Sequence, residues 1–354
     1  MDKHYLIERL DIKHYRGLND LVIDDLARVN VFVGANNSGK TSILEAVRLL
    51  GSPDSFGNIV RVALRRAQAS SAAKVKNIVN YVLSMFQRSS DDDGQDHYHI
   101  QMGVKTEDKD ISYDVDGTVG EAVDSTGATK KTLDIVIKTS VNGERENYDR
   151  CQIVNGEDAK FTSTKKPIYR SLYLPSTIGY YRACVELSSD YIARDGQAHL
   201  LNILQSFDKS IDGISIVGEE IYLHSETVGS MPLFTYGSGL QKALLLTLMI
   251  AYCKGGIILV DEIDNAIHVS AFRDVFGWFL DACEKWNVQA FITTHSAEAI
   301  DTILEINHEH HKEDDMLRVI TMRKGADGYT TRKRVRTGEE AYSDREDFKM
   351  ELRV

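Results

Sequence analysis

The chain has 354 residues, 42% hydrophobic and 27% charged, with a net charge of 42 − 53 = −11. That length gives room for one large domain or two ordinary ones and for a sizeable core, and the composition is ordinary for a soluble globular protein. The acidic balance argues against a surface built for non-specific DNA binding, although a local basic patch is compatible with it.

Residues Met1–Arg9 hold no apolar signal core or cleavage site, so no secretory leader is expected. The longest apolar run, Ala243–Tyr252, is roughly half of what a membrane span needs. Cys151, Cys184, Cys253 and Cys283 show no C-x-x-C spacing and read as reduced, mostly buried thiols. The expectation is a cytoplasmic protein with no membrane association.

Residues 4–32 alternate like strands around the turn-rich Tyr15–Asp20 and predict two short strands leading into a third. The apolar, β-branched Val29, Val31, Phe32 and Val33 read as a buried strand, and the next residues, Gly34 to Thr41, fit G-x-x-x-x-G-K-[ST]. Helical spacing follows from Thr41 to about Leu50, and again from Ala67 to Phe86 through Val75, Ile78 and Val82. Ser89–Gly94, including Asp91, Asp92 and Asp93, reads as a polar loop.

From Tyr98 to about Tyr173 the period changes to two, which predicts an antiparallel sheet of hairpins. Its turn signals are Asp116-Gly117, Asn142-Gly143 and Asn155-Gly156, and its last strand runs from Ile168 to Leu174. A helix is expected over Asp190–Phe207 and a short strand pair over Ile214–Val217 and Glu220–His224. Tyr236-Gly237-Ser238-Gly239-Leu240-Gln241 then precedes an apolar helix, Lys242–Tyr252. The buried strand Ile257–Val260, ending in Asp261-Glu262, begins a β-α-β rhythm with helix Ser270–Lys285 and strand Gln289–Thr293. A hairpin, Leu317–Arg323 and Tyr329–Val335 around Asp327-Gly328, and a polar helix close the chain.

Strand, glycine loop and helix turn backbone N–H groups and a helix N-terminus toward a phosphate chain. Asn36, Asn37, Ser38, Gly39, Lys40, Thr41 and Ser42 form this nucleotide loop. Lys40 would reach the β- and γ-phosphates of ATP, and the Thr41 hydroxyl would hold Mg²⁺. Asp261 can hold the same ion through its water shell, while Glu262 can polarise the attacking water. In Thr293-Thr294-His295-Ser296, His295 could hydrogen-bond the γ-phosphate and sense its loss.

The order of these elements resembles the ATP-binding cassette (ABC) ATPases of the RecF/SMC type. Leu10–Gly17, Gly34–Ala46, Tyr236–Gln241 and Asp261–His268 look more specifically like the overcoming-lysogenization-defect (OLD) group. The resemblance implies an α/β fold: an ABC-type P-loop ATPase head with an antiparallel β subdomain and a helical signature lobe. It is expected as one domain over residues 1–354, with the P-loop, its helix and the β subdomain in 1–180, the signature lobe in 181–254, and the acidic pair, histidine switch and C-terminal hairpin in 255–354.

In such heads two copies sandwich ATP, and the signature loop of one completes the γ-phosphate site of the other. Gly237-Ser238-Gly239 is the matching loop. Transporters and SMC proteins carry Leu-Ser-Gly-Gly there, this chain has Tyr-Gly-Ser-Gly, and Ser238 with Gly239 is the choice for the phosphate contact. The resemblance also implies that Gln87 is a metal-ligating Q-loop glutamine, a solvated loop glutamine being the alternative. Asp264 would sit at the dimer seam. Arg16 would approach the nucleotide or else be an ordinary turn arginine.

Other candidates are weaker. His308, His310 and His311 with Glu309, Glu313 and Asp314 could bind a metal, but a solvated polar loop is the default. Arg323, Lys324, Arg332, Lys333, Arg334 and Arg336 form a basic patch open to nucleic acid or to an acidic partner, with a solvated hairpin face as the default. Full-length relatives carry a TOPRIM nuclease domain after the ATPase, and only 59 residues follow His295 here. The expected function is therefore a slow, regulatory ATPase in prokaryotic anti-phage defence. It would dimerise or assemble further on ATP and control a separately encoded effector, a TOPRIM or HNH nuclease, in response to a phage-encoded trigger. A non-catalytic scaffold that sequesters its effector and a RecF-like repair ATPase are the alternatives.

Overall fold

A computed structural model of the chain describes residues 7–53, 55–66, 71–90, 96–123, 127–157, 167–176, 184–185, 187–188, 200–201, 204–205, 208–218, 220–311, 315–328 and 331–353. The chain divides into two compact units. The first takes Met1–Asp25, Asn36–Tyr169 and Met322–Lys333, and the second takes Leu26–Ala35, Arg170–Thr321 and Arg334–Val354.

The first unit is built on an antiparallel sheet. Its strands are β1 (Arg9–Tyr15), β2 (Leu18–Ile23), β4 (Gln87–Ser90), β5 (Asp96–Lys105), β6 (Asp110–Val123), β7 (Thr129–Val141) and β8 (Glu144–Val154). Their order is β2-β1-β5-β6-β7-β8, with β4 also on β5. Ile111, Tyr113 and Val115 on β6 and Leu133, Ile135 and Ile137 on β7 are buried while their neighbours are more open, so alternation sends one face to the core. Helices α1 (Lys40–Leu50) and α4 (Ile78–Leu83) lie against this sheet, with α2 (Phe56–Arg65) and α3 (Ser71–Lys76) between them in sequence.

Several sequence expectations change here. Asp116-Gly117 is not a turn: both residues lie within β6, where Asp116 faces Val136 and Gly117 faces Ile135. A Cβ on Gly117 would come within 3.2 Å of Phe86 and 3.3 Å of Leu133, so close packing rather than chain reversal calls for glycine. Asn142-Gly143 does reverse the chain, with φ of 53° and 81°, both positive as a tight two-residue hairpin requires. The expected Ala67–Phe86 helix is broken at Asn77 into α3 and α4, and 67–70 lie outside the described residues. Ser89 and Ser90 extend β4 rather than opening a loop, and Asp91–Gly94 lie outside the described residues.

A six-stranded sheet of order β16-β15-β3-β14-β13-β9 belongs to the second unit except for residues Met322–Lys324 of β15 and Thr331–Lys333 of β16. Its strands are β3 (Val29–Gly34), β9 (Ser171–Leu174), β13 (Ile257–Val260), β14 (Gln289–Thr293), β15 (Leu317–Lys324) and β16 (Thr331–Thr337). The pairs β3–β14, β14–β13 and β13–β9 are parallel. Strand β9 therefore does not belong to the antiparallel hairpins that its period suggested: it completes the parallel sheet beside a strand far along the chain. Strands β10 (Ile211–Val217), β11 (Glu220–Ser225) and β12 (Gly229–Pro232) form a separate antiparallel sheet.

Helices α5 (Ser238–Tyr252), α6 (Phe272–Lys285), α7 (Ala297–His310) and α8 (Gly338–Glu346) complete this unit. Helix α5 starts a full turn before the expected Lys242 and is buried on nearly every side, as a helix through a core must be apolar all round. The expected Asp190–Phe207 helix falls mostly outside the described residues. All four cysteines are free thiols, with Cys184, Cys253 and Cys283 buried. Among the described residues no helix is long and apolar enough to cross a membrane.

Candidate nucleotide-binding site

The loop after β3 depends on residues that tolerate unusual backbone angles. Gly34 and Gly39 have φ of 145° and 102°, and Asn37 is left-handed at 64°. A Cβ on Gly39 would lie 2.4 Å from Cδ2 of Leu18, so space and dihedral both demand glycine. Helix α1 begins at Lys40 with no side chain capping its N-terminus. Its amide dipoles are thus directed at the loop, the arrangement that attracts a phosphate. Ser38 is 1% exposed, and its Oγ has no hydrogen-bond partner among the described residues. A buried hydroxyl left in this way fits a phosphate oxygen as acceptor. Asn36 and Asn37 are exposed, and Lys40 and Thr41 are half-buried.

Behind the loop, α1 is anchored by a buried charge. Glu45 is fully buried and accepts from Arg16 Nε at 2.8 Å, Arg66 Nε at 2.8 Å, Arg66 Nη2 at 2.9 Å and the Tyr15 hydroxyl at 3.3 Å. Arg66 also donates to Ser42 Oγ at 3.2 Å. Burial, then the Glu45 charge, pushes the Tyr15 phenol far above its ordinary value and keeps it a neutral donor. Arg16 is therefore no ordinary turn arginine. Its guanidinium braces the nucleotide-loop helix through Glu45 and also reaches Ser84 Oγ at 3.3 Å.

In the second unit, parallel pairing brings the ends of β3, β14 and β13 to one carboxyl edge, the edge at which open α/β sheets place their ligands. Gly34, Thr293 and Asp261 emerge there side by side. Asp261 is 8% exposed, and its Oδ1 accepts from Thr293 Oγ1 at 2.7 Å. The same Oγ1 accepts from the Glu262 amide at 2.8 Å, so one hydroxyl fixes the first carboxylate and the backbone of the second. Glu262 has φ of 53°, a left-handed angle costly for a side-chain-bearing residue, and its carboxylate is partly open to solvent. His295 Nδ1 lies 3.7 Å from Glu262 Oε1. Its carbonyl accepts from Arg353 Nη1 at 2.9 Å, and the neighbouring Thr294 hydroxyl donates to Asp264 Oδ1 at 2.5 Å. Asp261, Glu262, Asp264 and His295 therefore form one connected cluster.

Ser238 and Gly239 open α5 behind the N-cap residue Gly237, again with no side-chain cap. Ser238 is exposed, and a Cβ on Gly239 would come within 3.2 Å of the Ala266 carbonyl. Gln87 starts β4 opposite His99 rather than sitting in a loop. Its buried Oε1 has no hydrogen-bond partner among the described residues, which is compatible with a ligating role. Sequence reading missed Thr293, Arg66, Arg353 and Lys242 as functional supports. A lysine inside the otherwise apolar run of α5 was the available signal for Lys242. Its Nζ donates to the carbonyls of Glu262 and Asn265, and burial lowers its pKa to about 8.

The remaining candidates are structural. His311 lies between Asp281 and Glu284, His308 pairs with Glu339 and stacks on Tyr342, and Glu313 and Asp314 lie outside the described residues. No group of three or more metal-ligating side chains occurs among the described residues. In the basic hairpin Arg334 and Arg336 pair with Asp344, Lys333 pairs with Asp24, and Lys324 donates to the Gly17 carbonyl.

The family model described as "AAA ATPase domain" matches residues 6–190. The chain belongs to the AAA ATPase domain family. A second model, "AAA domain, putative AbiEii toxin, Type IV TA system", matches residues 157–301. This AAA ATPase is 22% identical over 329 residues to an "ATP/GTP phosphatase" of Helicobacter pylori, covering 86% of this chain and 89% of that protein. Over 75 residues it is 40% identical to the DNA replication and repair protein RecF of Nitrosococcus oceani, covering 20% of this chain and 21% of that one. An SMC head solved bound to the C-winged helix domain of ScpA superposes with a TM-score of 0.53 at 12% identity, over 95% of this chain and 99% of that one. The fold is thus the expected ABC-type head of the RecF/SMC kind.

Proposed function

We propose that this AAA ATPase is a compact head of the OLD kind that closes on ATP as a homodimer or higher homo-oligomer. In that state it controls a separately encoded effector, a TOPRIM or HNH nuclease, in prokaryotic defence against phage. The observation that carries hydrolysis is the Asp261–Glu262 pair held by Thr293 at the sheet edge from which Gly34 leads into the nucleotide loop. Lys40 and the loop amides hold the β- and γ-phosphates. Thr41, Asp261 through its water shell, and Gln87 would hold Mg²⁺, which offsets phosphate charge when bound. Glu262 orients the attacking water and His295 reports the γ-phosphate. Ser238 and Gly239 of a second copy complete the pocket with a helix N-terminus.

Glu262→Gln should lower the hydrolysis rate by ~10²-fold or more, the scale of a positioned base, while leaving ATP binding intact. With ATP the same variant should run as a dimer in light scattering. Equal hydrolysis by wild type and Glu262→Gln would sink the reading. The RecF segment favours a second reading as a DNA-repair ATPase, which requires tight ATP-dependent DNA binding in fluorescence anisotropy. The net charge of −11 and the internally paired hairpin cations count against it.

A further inference from the structure

We propose that Lys242 is a positioning residue that ties the helix headed by Ser238 to the turn that carries Glu262. The inference rests on Glu262 as the residue that orients water. Lys242 lies one helical turn after Ser238 on α5 and is 1% exposed. Its Nζ donates to the Glu262 carbonyl at 2.8 Å and to the Asn265 carbonyl at 2.7 Å.

That turn needs holding. Glu262 and Ala266 have φ of 53° and 66°, and neither is glycine, so the backbone between them is strained at both ends. Within it the Asn265 amide donates to the Glu262 carbonyl at 3.0 Å, and the Ile267 amide donates to the Asp264 carbonyl at 3.1 Å. Asn265 Nδ2 fixes the outer side by donating to the Ser176 carbonyl at 3.0 Å. Helix α5 meets the same turn a second time, where Gly239 packs on the Ala266 carbonyl. The first turn of α5 therefore grips the segment at two points, one steric and one charge-assisted.

A buried ammonium is expensive unless its hydrogen bonds and nearby charges offset the loss of water. The carboxylates of Asp264, Glu262 and Asp261 act on Lys242 and favour its charged form, and His295 lies 3.7 Å from the Glu262 carboxylate. A shift of the Ser238 end of α5 would pass through Lys242 to the Glu262 backbone, and so to the direction of its carboxylate. Contact at the signature loop is then coupled to the position of the water-orienting group.

The test compares Lys242→Met, which keeps the stem and removes the donors, with Lys242→Gln, which keeps one donor. ATP affinity from a fluorescent nucleotide should stay within about threefold of wild type, KM should be unchanged, and kcat should fall at least tenfold for Met and less for Gln. A Lys242→Met variant with wild-type kcat while Glu262→Gln is inactive overturns the proposal. Loss of activity only in step with loss of thermal stability marks a structural lysine and also overturns it. If Glu262→Gln itself hydrolyses normally, the reading of the site fails first.

Discussion

Replacing Glu45 by glutamine isolates the charge that anchors the nucleotide-loop helix. The carboxylate is fully buried and takes donors from Arg16, Arg66 and Tyr15. A glutamine offers one acceptor oxygen and turns an NH₂ group toward donors on the other side. Removing one partner of a buried ion pair costs ~3–5 kcal/mol, because the remaining charge is left uncompensated. The two arginines do not count equally. Arg66 is 43% exposed, so solvent screens it and its share is at most ~1 kcal/mol. Arg16 is 10% exposed and carries the rest, which gives about 3 kcal/mol for the substitution. With two compact units a single unfolding free energy is poorly defined, so a local readout is needed. Hydrogen exchange of the α1 amides should accelerate by ~10²-fold, since each 1.4 kcal/mol is a factor of ten when opening is local. Arg66→Ala should change the same amides by no more than about fivefold. If Glu45→Gln leaves α1 exchange within threefold of wild type, the buried pair does not hold the helix and the reasoning is wrong.

Two further outcomes follow from the second unit. Thr293→Val keeps the shape of the strand end but removes the hydroxyl shared by Asp261 and the Glu262 amide. Leaving the Glu262 amide without this acceptor costs ~1–3 kcal/mol, and steady-state kinetics should show kcat about tenfold lower or more, with ATP binding less affected. Glu351 is held down to about 2, chiefly by its hydrogen bond from Arg353, the residue that also grips the His295 carbonyl. A lowered carboxylate pKa contributes stability that is present above the ordinary value and lost only as pH falls toward 2, so this latch should survive at pH 4. A carbon-13 carboxyl titration of Glu351 with its midpoint at 4 or above would contradict this. Because Glu351 is 37% exposed, Glu351→Gln should cost less than ~1 kcal/mol.

Much of the fold was legible because period and burial coincide. Strands β5 to β7 alternate, β13 is continuously apolar and β14 is apolar between Gln289 and Thr293, and each pattern meant what it should: a half-buried antiparallel sheet and a doubly covered parallel one. The errors fall where local pattern does not determine the partner. Strand β9 is four residues long, and nothing within it says that it pairs with β13 rather than with the hairpins just before it. Gly117 reads as a turn because glycine usually means backbone freedom, whereas here it means lack of room beside Leu133 and Phe86. Helix α2 is absent from the expected elements although Ser55 caps it, accepting from the Asn58 amide.

The site divides along the same line. Gly34, Gly39, Lys40, Thr41 and the Asp261–Glu262 pair announce themselves because their chemistry depends on backbone angle or charge at fixed spacing, which a linear sequence preserves. Thr293 and Glu45 do their work through contacts made across the fold, so their residue types are unremarkable locally. Lys242 marks the boundary between the two cases. A lysine amid the Leu-rich face of α5 violates the pattern around it, and a violated pattern in a buried helix asks for a partner. The sequence contains the question but not the answer, since the carbonyls of Glu262 and Asn265 carry no sequence signature at all. Where an acceptor is backbone, only the fold can name it. Polar residues that break an apolar run close to a recognised motif are therefore the positions from which support of the catalytic groups should be sought first.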